Sequence, residues 1–282
     1  MNEELTNKTF IVTGANTGIG KVTACELARR GAHVLLACRS KAKTDPVLEE
    51  ITCTTGNDKV EFVLLDLADQ NSVRACAQAI LERNIPIHAL INNAGLVTRG
   101  TTKEGFELIF GVNHLGHYLL TRLLLDRIKE TKGARIVNVT SSAHFRAKAI
   151  DWKALQEATR TVTGFPEYTV SKLANVLFTK ELARRIEGSG VTTYAVHPGG
   201  VATDVWRRIP QPFRWIMNLR LISPEEGAKS TLRAATDPAL ASDNGRYYHR
   251  NGNERRPSEI SDDAELAATL WRKSAEWTGL SA

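Results

Sequence analysis

Tyr168 and Lys172 stand four residues apart in Tyr168-Thr169-Val170-Ser171-Lys172, so on a helix they share one face. A free phenol ionises near pH ~10, and a positive charge one turn away favours its phenolate, which makes the pair acid/base equipment. Far upstream, Thr13-Gly14-Ala15-Asn16-Thr17-Gly18-Ile19-Gly20 lies between an apolar run and a helical pattern. Glycines there permit a tight turn and close backbone approach to a pyrophosphate, which the following helix N-terminus attracts. A nicotinamide cofactor bound through that turn and a Tyr–Lys pair would together suit hydride transfer to or from a carbonyl. Neither pattern is decisive alone. Tyr–Lys pairs occur on ordinary helix surfaces, and the spacing G-x-x-x-G-x-G differs from the best-known G-x-G-x-x-G fingerprint.

The elements that must position these groups alternate along the chain. Phe10–Val12, His33–Ala37, Val60–Leu65, Ala89–Ile91, Arg135–Val139 and Thr192–Val196 read as strands. Lys21–Arg30, Ser72–Arg83, Gly116–Lys129 and Val170–Ile186 read as helices, and Ser223-Pro224-Glu225-Glu226 starts another. Continuous apolar strands separated by helices imply a parallel sheet covered on both faces, and right-handed crossovers make it a doubly wound α/β fold. No linker or repeat divides the chain, so a single domain spanning residues 1–282 is expected.

Strand ends line the ligand crevice of such sheets. A carboxylate after the second strand would accept from the adenosine ribose hydroxyls and favour NAD; the chain has Ala37-Cys38-Arg39-Ser40 instead. Arg39, with Ser40 beside it, could fork onto a 2′-phosphate, which favours NADP(H) over NAD(H), although a solvated surface arginine is the plainer reading. Asp66 and Leu67 end the third strand, with Asp66 suited to the adenine amino group. Asn92, Ala94 and Gly95 follow the fourth strand and could wall the ribose, or serve as turn and cap residues. After the sixth strand, Pro198 and Gly199 would turn beside the nicotinamide, with Val201 and Thr203 on its carboxamide. In Asn138-Val139-Thr140-Ser141-Ser142 either serine could hold a substrate oxygen, and counting from Asn138 favours Ser141.

Together these motifs resemble the short-chain dehydrogenase/reductases, single-domain proteins with a Rossmann core. Within them the chain is most similar to the retinol-dehydrogenase-like group, on Thr13–Lys21, Ala37-Cys38-Arg39, Val112–His117, Ser171–Asn175 and Gly190–Tyr194. The resemblance implies a mostly parallel, seven-stranded sheet with helices on both faces. It implies an oxidoreductase that uses NADP(H) on a small apolar alcohol, aldehyde or ketone of retinoid, steroid or lipid-aldehyde type. Tyr168 would be the acid/base, Lys172 would also hold the nicotinamide ribose, Ser141 would hold the substrate oxygen, and Asn113 would bind a relay water. The cofactor would lie along Gly14, Asn16, Thr17, Gly18, Ile19 and Gly20. A homodimer or homotetramer through helices flanking the site is implied as well. A non-catalytic NADP(H)-binding sensor or scaffold is the alternative, and the complete Asn113–Ser141–Tyr168–Lys172 set speaks against it.

A segment at about 201–222, rich in Trp, Phe, Ile, Leu and interspersed Arg, would be the substrate lid by resemblance. Packing, a subunit interface or peripheral contact with an anionic membrane are its other readings. Ile150-Asp151-Trp152 would complete the pocket's far wall. The net charge of +6 lacks the basic run or interleaved aromatics of a nucleic-acid binder. His114 and His117 lack a partnering carboxylate at zincin spacing, so no metal is expected. Cys25, Cys38, Cys53 and Cys76 read as reduced thiols. The first strand begins too near Met1 for a leader, so a cytoplasmic location is expected.

Overall fold

The computed structural model describes residues 4–200, 222–250 and 252–282. Its centre is a seven-stranded sheet in the order β3-β2-β1-β4-β5-β6-β7, with every pair parallel. The strands are β1 (Thr9–Thr13), β2 (His33–Cys38), β3 (Val60–Leu64), β4 (Ala89–Asn92), β5 (Arg135–Val139), β6 (Thr192–Val196) and β7 (Arg246–Tyr248). Every residue of β1, β4 and β5 is buried, which is why they read as unbroken apolar runs. Edge strand β3 instead exposes Glu61 and Leu64. The seventh strand, implied by the resemblance alone, is β7.

Helices cover both faces. They are α1 (Gly18–Arg29), α2 (Lys41–Thr55), α3 (Gln70–Leu81), the short α4 (Leu108–Phe110), α5 (Gly116–Lys129), α6 (Phe165–Arg185), α7 (Pro224–Thr236) and α8 (Ala264–Trp277). One core layer joins β1, β2, β4 and β5 to α3 and α5 through Leu35, Leu90, Ile136, Tyr118 and Leu124. The opposite layer packs Val12, Val34, Leu36 and Ile91 beneath Leu27 of α1 and Ala234 of α7. The fold is thus a single doubly wound domain. The chain order reverses between β1 and β4, and a ligand crevice belongs outside the strand ends at that switch point.

Two helices have weak or overlooked sequence signals. Pro46 lies inside α2, where the ring removes a ladder donor, yet Val47 and Ile51 are buried and hold the helix on the domain. The C-terminal α8 begins at Asp263, whose carboxylate accepts from the Leu266 amide at 2.9 Å. It lies across α6, with Leu270 and Trp271 buried.

Candidate active site

The switch point opens into a cleft of about 870 Å³. Gly14, Asn16, Thr17, Gly18, Ile19 and Gly20 line one end, Tyr168 and Lys172 the other. The glycine turn is packed so closely that side chains do not fit. A Cβ on Gly20 would lie 2.4 Å from the Gly14 carbonyl oxygen, and one on Gly14 would lie 2.9 Å from the Ala94 Cβ. Gly14 and Gly18 also take positive φ, at 63° and 53°. The N-terminus of α1 opens there with no acidic residue in its first turn. A pyrophosphate suits such a cradle.

At the ribose end Arg39, Ser40 and Lys43 line the cleft. Helix α2 starts with Lys41 and Lys43, has no acid in its first turn, and its N-cap residue Ser40 makes no capping bond. Cations at a helix N-terminus oppose the macrodipole, so this arrangement fits an anion between them. Lys43 is a cleft residue absent from the sequence expectations, and the basic Arg39–Lys43 run beside a helix start is the signal for it. Asp66 and Leu67 also line the cleft, as do Ala94 and Gly95.

Asn92 does not. Its side chain is buried behind the strand, donating to Thr121 Oγ1 at 3.0 Å and Asn138 Oδ1 at 2.8 Å. Strand alternation turns it into the α5 layer and brings Asn93 to the cleft instead. Asn93 Nδ2 donates to the Thr13 carbonyl at 2.8 Å and so ties the glycine turn to the end of β4. Pro198 and Gly199 line the reaction end, with Gly199 at φ 101°. Val201, Thr203 and the expected lid up to residue 221 lie outside the described residues.

Tyr168 and Lys172 face the cleft from α6, as their spacing predicts. That helix starts five residues earlier than the sequence reading put it, at Phe165, after Gly164 in a left-handed turn of φ 67°. Pro166 in its first turn was the unused signal. The Tyr168 hydroxyl is hydrogen-bonded to Ser141, the serine that counting from Asn138 favours. Ser142 is held differently: its amide donates to His197 Nδ1 at 3.2 Å. Lys172 Nζ lies 5.6 Å from the Tyr168 ring centroid and donates to the Val139 carbonyl at 3.0 Å.

Burial dominates the electrostatics of this pair. It pushes the Lys172 ammonium down to about 8. It also pushes the Tyr168 phenol up, against the opposing Ser141 bond. Desolvation of the shared pocket is the larger influence on both groups.

Asn113 lies behind Gly95 in a π-helical turn, Gly111–Leu115, between α4 and α5. A Cβ on Gly95 would lie 3.4 Å from Asn113 Oδ1 and 3.5 Å from Lys172 Nζ, so the three groups meet. The Asn113 side chain is fully engaged: Oδ1 accepts from the Leu96 amide at 2.8 Å, and Nδ2 donates to the Leu96 carbonyl at 3.1 Å and Ser171 Oγ at 3.0 Å. A π turn often marks a functional site.

His114 and His117 are buried side chains within this layer. His114 Nε2 is 3.1 Å from Ser274 Oγ of α8, and His117 reaches Thr13 Oγ1 at 2.8 Å. Ile150 and Trp152 do not line the cleft. Ile150 joins the core around Leu155 and Leu173, and Trp152 packs against Trp277 of α8 at 6.3 Å. The apolar wall beyond Tyr168 comes from Leu96, Val97 and Phe165. All four cysteines are free thiols.

The short chain dehydrogenase family model matches residues 8–212. Retinol dehydrogenase 11 of Mus musculus is 47% identical over 287 residues, covering 99% of this chain and 89% of its own. Among solved structures, an uncharacterized protein from Mycobacterium Paratuberculosis superposes with a TM-score of 0.79 at 34% identity, covering 98% of this chain and 94% of its own. A structure described as an NAD(P) dependent gluconate 5-dehydrogenase from Beutenbergia cavernae, with bound NADP, gives 0.71 at 27% identity, covering 89% and 97%. The chain belongs to the short-chain dehydrogenase/reductase family, in its retinol-dehydrogenase-like group. It is an oxidoreductase of the nicotinamide-dependent kind.

Proposed function

We propose that the protein transfers hydride between NADP(H) and a small apolar alcohol or carbonyl, of retinoid, steroid or lipid-aldehyde type. The observation that carries this reading is the Ser141–Tyr168 hydroxyl pair in the cleft, with Lys172 one helical turn along. Bound nicotinamide supplies the hydride donor or acceptor at this end of the cleft. In the reductive direction Ser141 holds the substrate oxygen, and the Tyr168 hydroxyl gives it a proton. In the oxidative direction Tyr168 takes the alcohol proton. The buried Lys172 ammonium stabilises the phenolate that forms transiently, an interaction absent while the phenol is neutral.

Arg39 and Lys43, at the N-terminus of α2, support the preference for the 2′-phosphate of NADP(H). Leu96, Val97 and Phe165 support an apolar substrate. A homodimer or homotetramer would have to use a face other than that of α6 beneath α8, where Trp271 is buried between the Arg122 and Arg185 guanidinium groups at 4.8 and 4.4 Å.

The test is cofactor oxidation by the purified chain across apolar aldehydes and ketones, retinal included, with NADPH and NADH in parallel. The expected result is turnover with NADPH that rises with substrate apolarity. Turnover confined to polar sugars, or faster with NADH, contradicts the proposal.

A further inference from the structure

His117 joins the two ends of the cleft from behind. It is the second residue of α5, is 3% exposed, and does not line the cleft. Its Nδ1 is 3.1 Å from the Asn113 carbonyl oxygen. A carbonyl only accepts, so Nδ1 carries the proton and, in the neutral ring, Nε2 offers a lone pair. The partner at Nε2 is Thr13 Oγ1, at 2.8 Å. That hydroxyl already accepts from the Asn93 and Ala94 amides, both at 2.9 Å. Its single proton is therefore directed at His117, the alternative Ile91 carbonyl being farther at 3.4 Å.

Each hydrogen-bonding capacity along this path is used once, and the direction of every bond follows. Amides of the β4 loop feed Thr13, Thr13 feeds His117, and His117 feeds the Asn113 carbonyl. Thr13 directly precedes Gly14 of the nucleotide turn. Asn113 clamps Leu96 and Ser171 and lies beside Lys172. The Asn113 side chain is held by that clamp, and its main-chain carbonyl is held by His117 Nδ1, so His117 fixes the orientation of the Asn113 peptide.

We infer that His117 is a positioning residue that couples the nucleotide turn to the Asn113–Lys172 end of the reaction site through Thr13. It touches neither reactant. Its role is to hold the Asn113 carbonyl in a π turn whose geometry the helix alone does not specify. The inference rests on reading Asn113, Ser141, Tyr168 and Lys172 as the reaction site, and the experiment separates the two.

Full-length wild type, Thr13→Val, Thr13→Ser, His117→Leu and the Thr13→Val/His117→Leu double variant are compared. Side-chain nitrogen NMR reads the His117 tautomer with and without NADPH, and steady-state kinetics read kcat and KM. The expected wild-type tautomer is Nδ1–H, and NADPH shifts the His117 ring signals. Thr13→Val nearly abolishes that shift and lowers kcat by roughly tenfold to a hundredfold. The double variant is no slower than the worse single one, because both break one path. Thr13→Ser keeps the hydroxyl and stays within about twofold of wild type in kcat. An Nε2–H tautomer, an NADPH shift that survives Thr13→Val, or single effects that multiply overturns the inference. If His117→Leu fails to fold, the Val and Ser substitutions at Thr13 still decide it. If the wild type has no turnover, the reaction-site reading fails, while tautomer and NADPH shift still test the coupling.

Discussion

At the nucleotide end of the cleft the fit is made by atoms that are missing. Gly14 and Gly20 let β1, α1 and the β4 loop approach until a single added Cβ would strike backbone at 2.4 Å. At the reaction end the fit is made by side chains reaching backbone from distant elements. His144 Nδ1 donates to the Ser141 carbonyl at 2.6 Å, while its Nε2 accepts from the Ser258 amide at 3.2 Å. His197 Nδ1 accepts from the amides of Ser142 at 3.2 Å and Gly199 at 3.4 Å. Two neutral histidines thus fix the serine loop against the Pro-Gly turn and the C-terminal segment. One end depends on close backbone approach at glycines and the other on side-chain bonds to backbone from separate parts of the chain. Substitutions should therefore fail differently at the two ends.

The largest effect is expected at the missing atoms. Gly20→Ala places its Cβ against the Gly14 carbonyl and Asn93 Nδ2. It should lower stability by about 1–3 kcal/mol and weaken NADPH binding, read by thermal melts with and without NADPH. Unchanged melts would remove the contrast between the ends. Next is the serine loop. Ser141→Ala should lower kcat by roughly a hundredfold, the scale of one lost hydrogen-bond donor to a developing charge, with NADPH affinity preserved. Ser142→Ala should stay within about threefold, since the Ser142 amide rather than its hydroxyl is the group held by His197. Equal effects of the two would contradict the assignment. Smaller again is Arg39→Ala, which should raise the KM for NADPH about tenfold and leave that for NADH unchanged, the scale of one lost charge-assisted contact.

A separate effect concerns pH. Burial pushes His197 down to about 3 and His117 to about 4, from ordinary values near 6.5. The unfolded chain takes up these protons as pH falls through about 6.5, whereas the folded chain refuses them. Stability is then fully present above that pH and declines below it, by up to ~1.4 kcal/mol per pH unit for each histidine. Urea midpoints between pH 8 and 5 should be level above 6.5 and fall beneath it. A level profile throughout would mean that these rings are not held neutral.

How much of this was legible in the sequence follows the same division. The glycine turn, the apolar strands and the Tyr168–Lys172 spacing are local patterns, and each appears where the chain pattern puts it. A run of two asparagines, Asn92 and Asn93, at a strand end hides which one faces the cleft. Pairing with Asn138 across β4 and β5 turns Asn92 inward. Trp152 packs instead on Trp277 and Lys273 of α8, a helix whose sequence carries no obvious start before Asp263. Lys43 was hidden in a helix whose Pro46 weakens its pattern. The roles of His117, His144 and His197 depend on bonds to residues 104, 114 and 55 positions away, which no spacing rule reaches.

The most direct measurement is single-turnover hydride transfer from NADPH to an apolar aldehyde in Tyr168→Phe, with NADPH affinity measured on the same sample. The account predicts a rate lowered by about 10²–10⁴-fold with affinity within a few-fold of wild type, because the phenol acts on the proton and not on the nucleotide. A transfer rate close to wild type would contradict it.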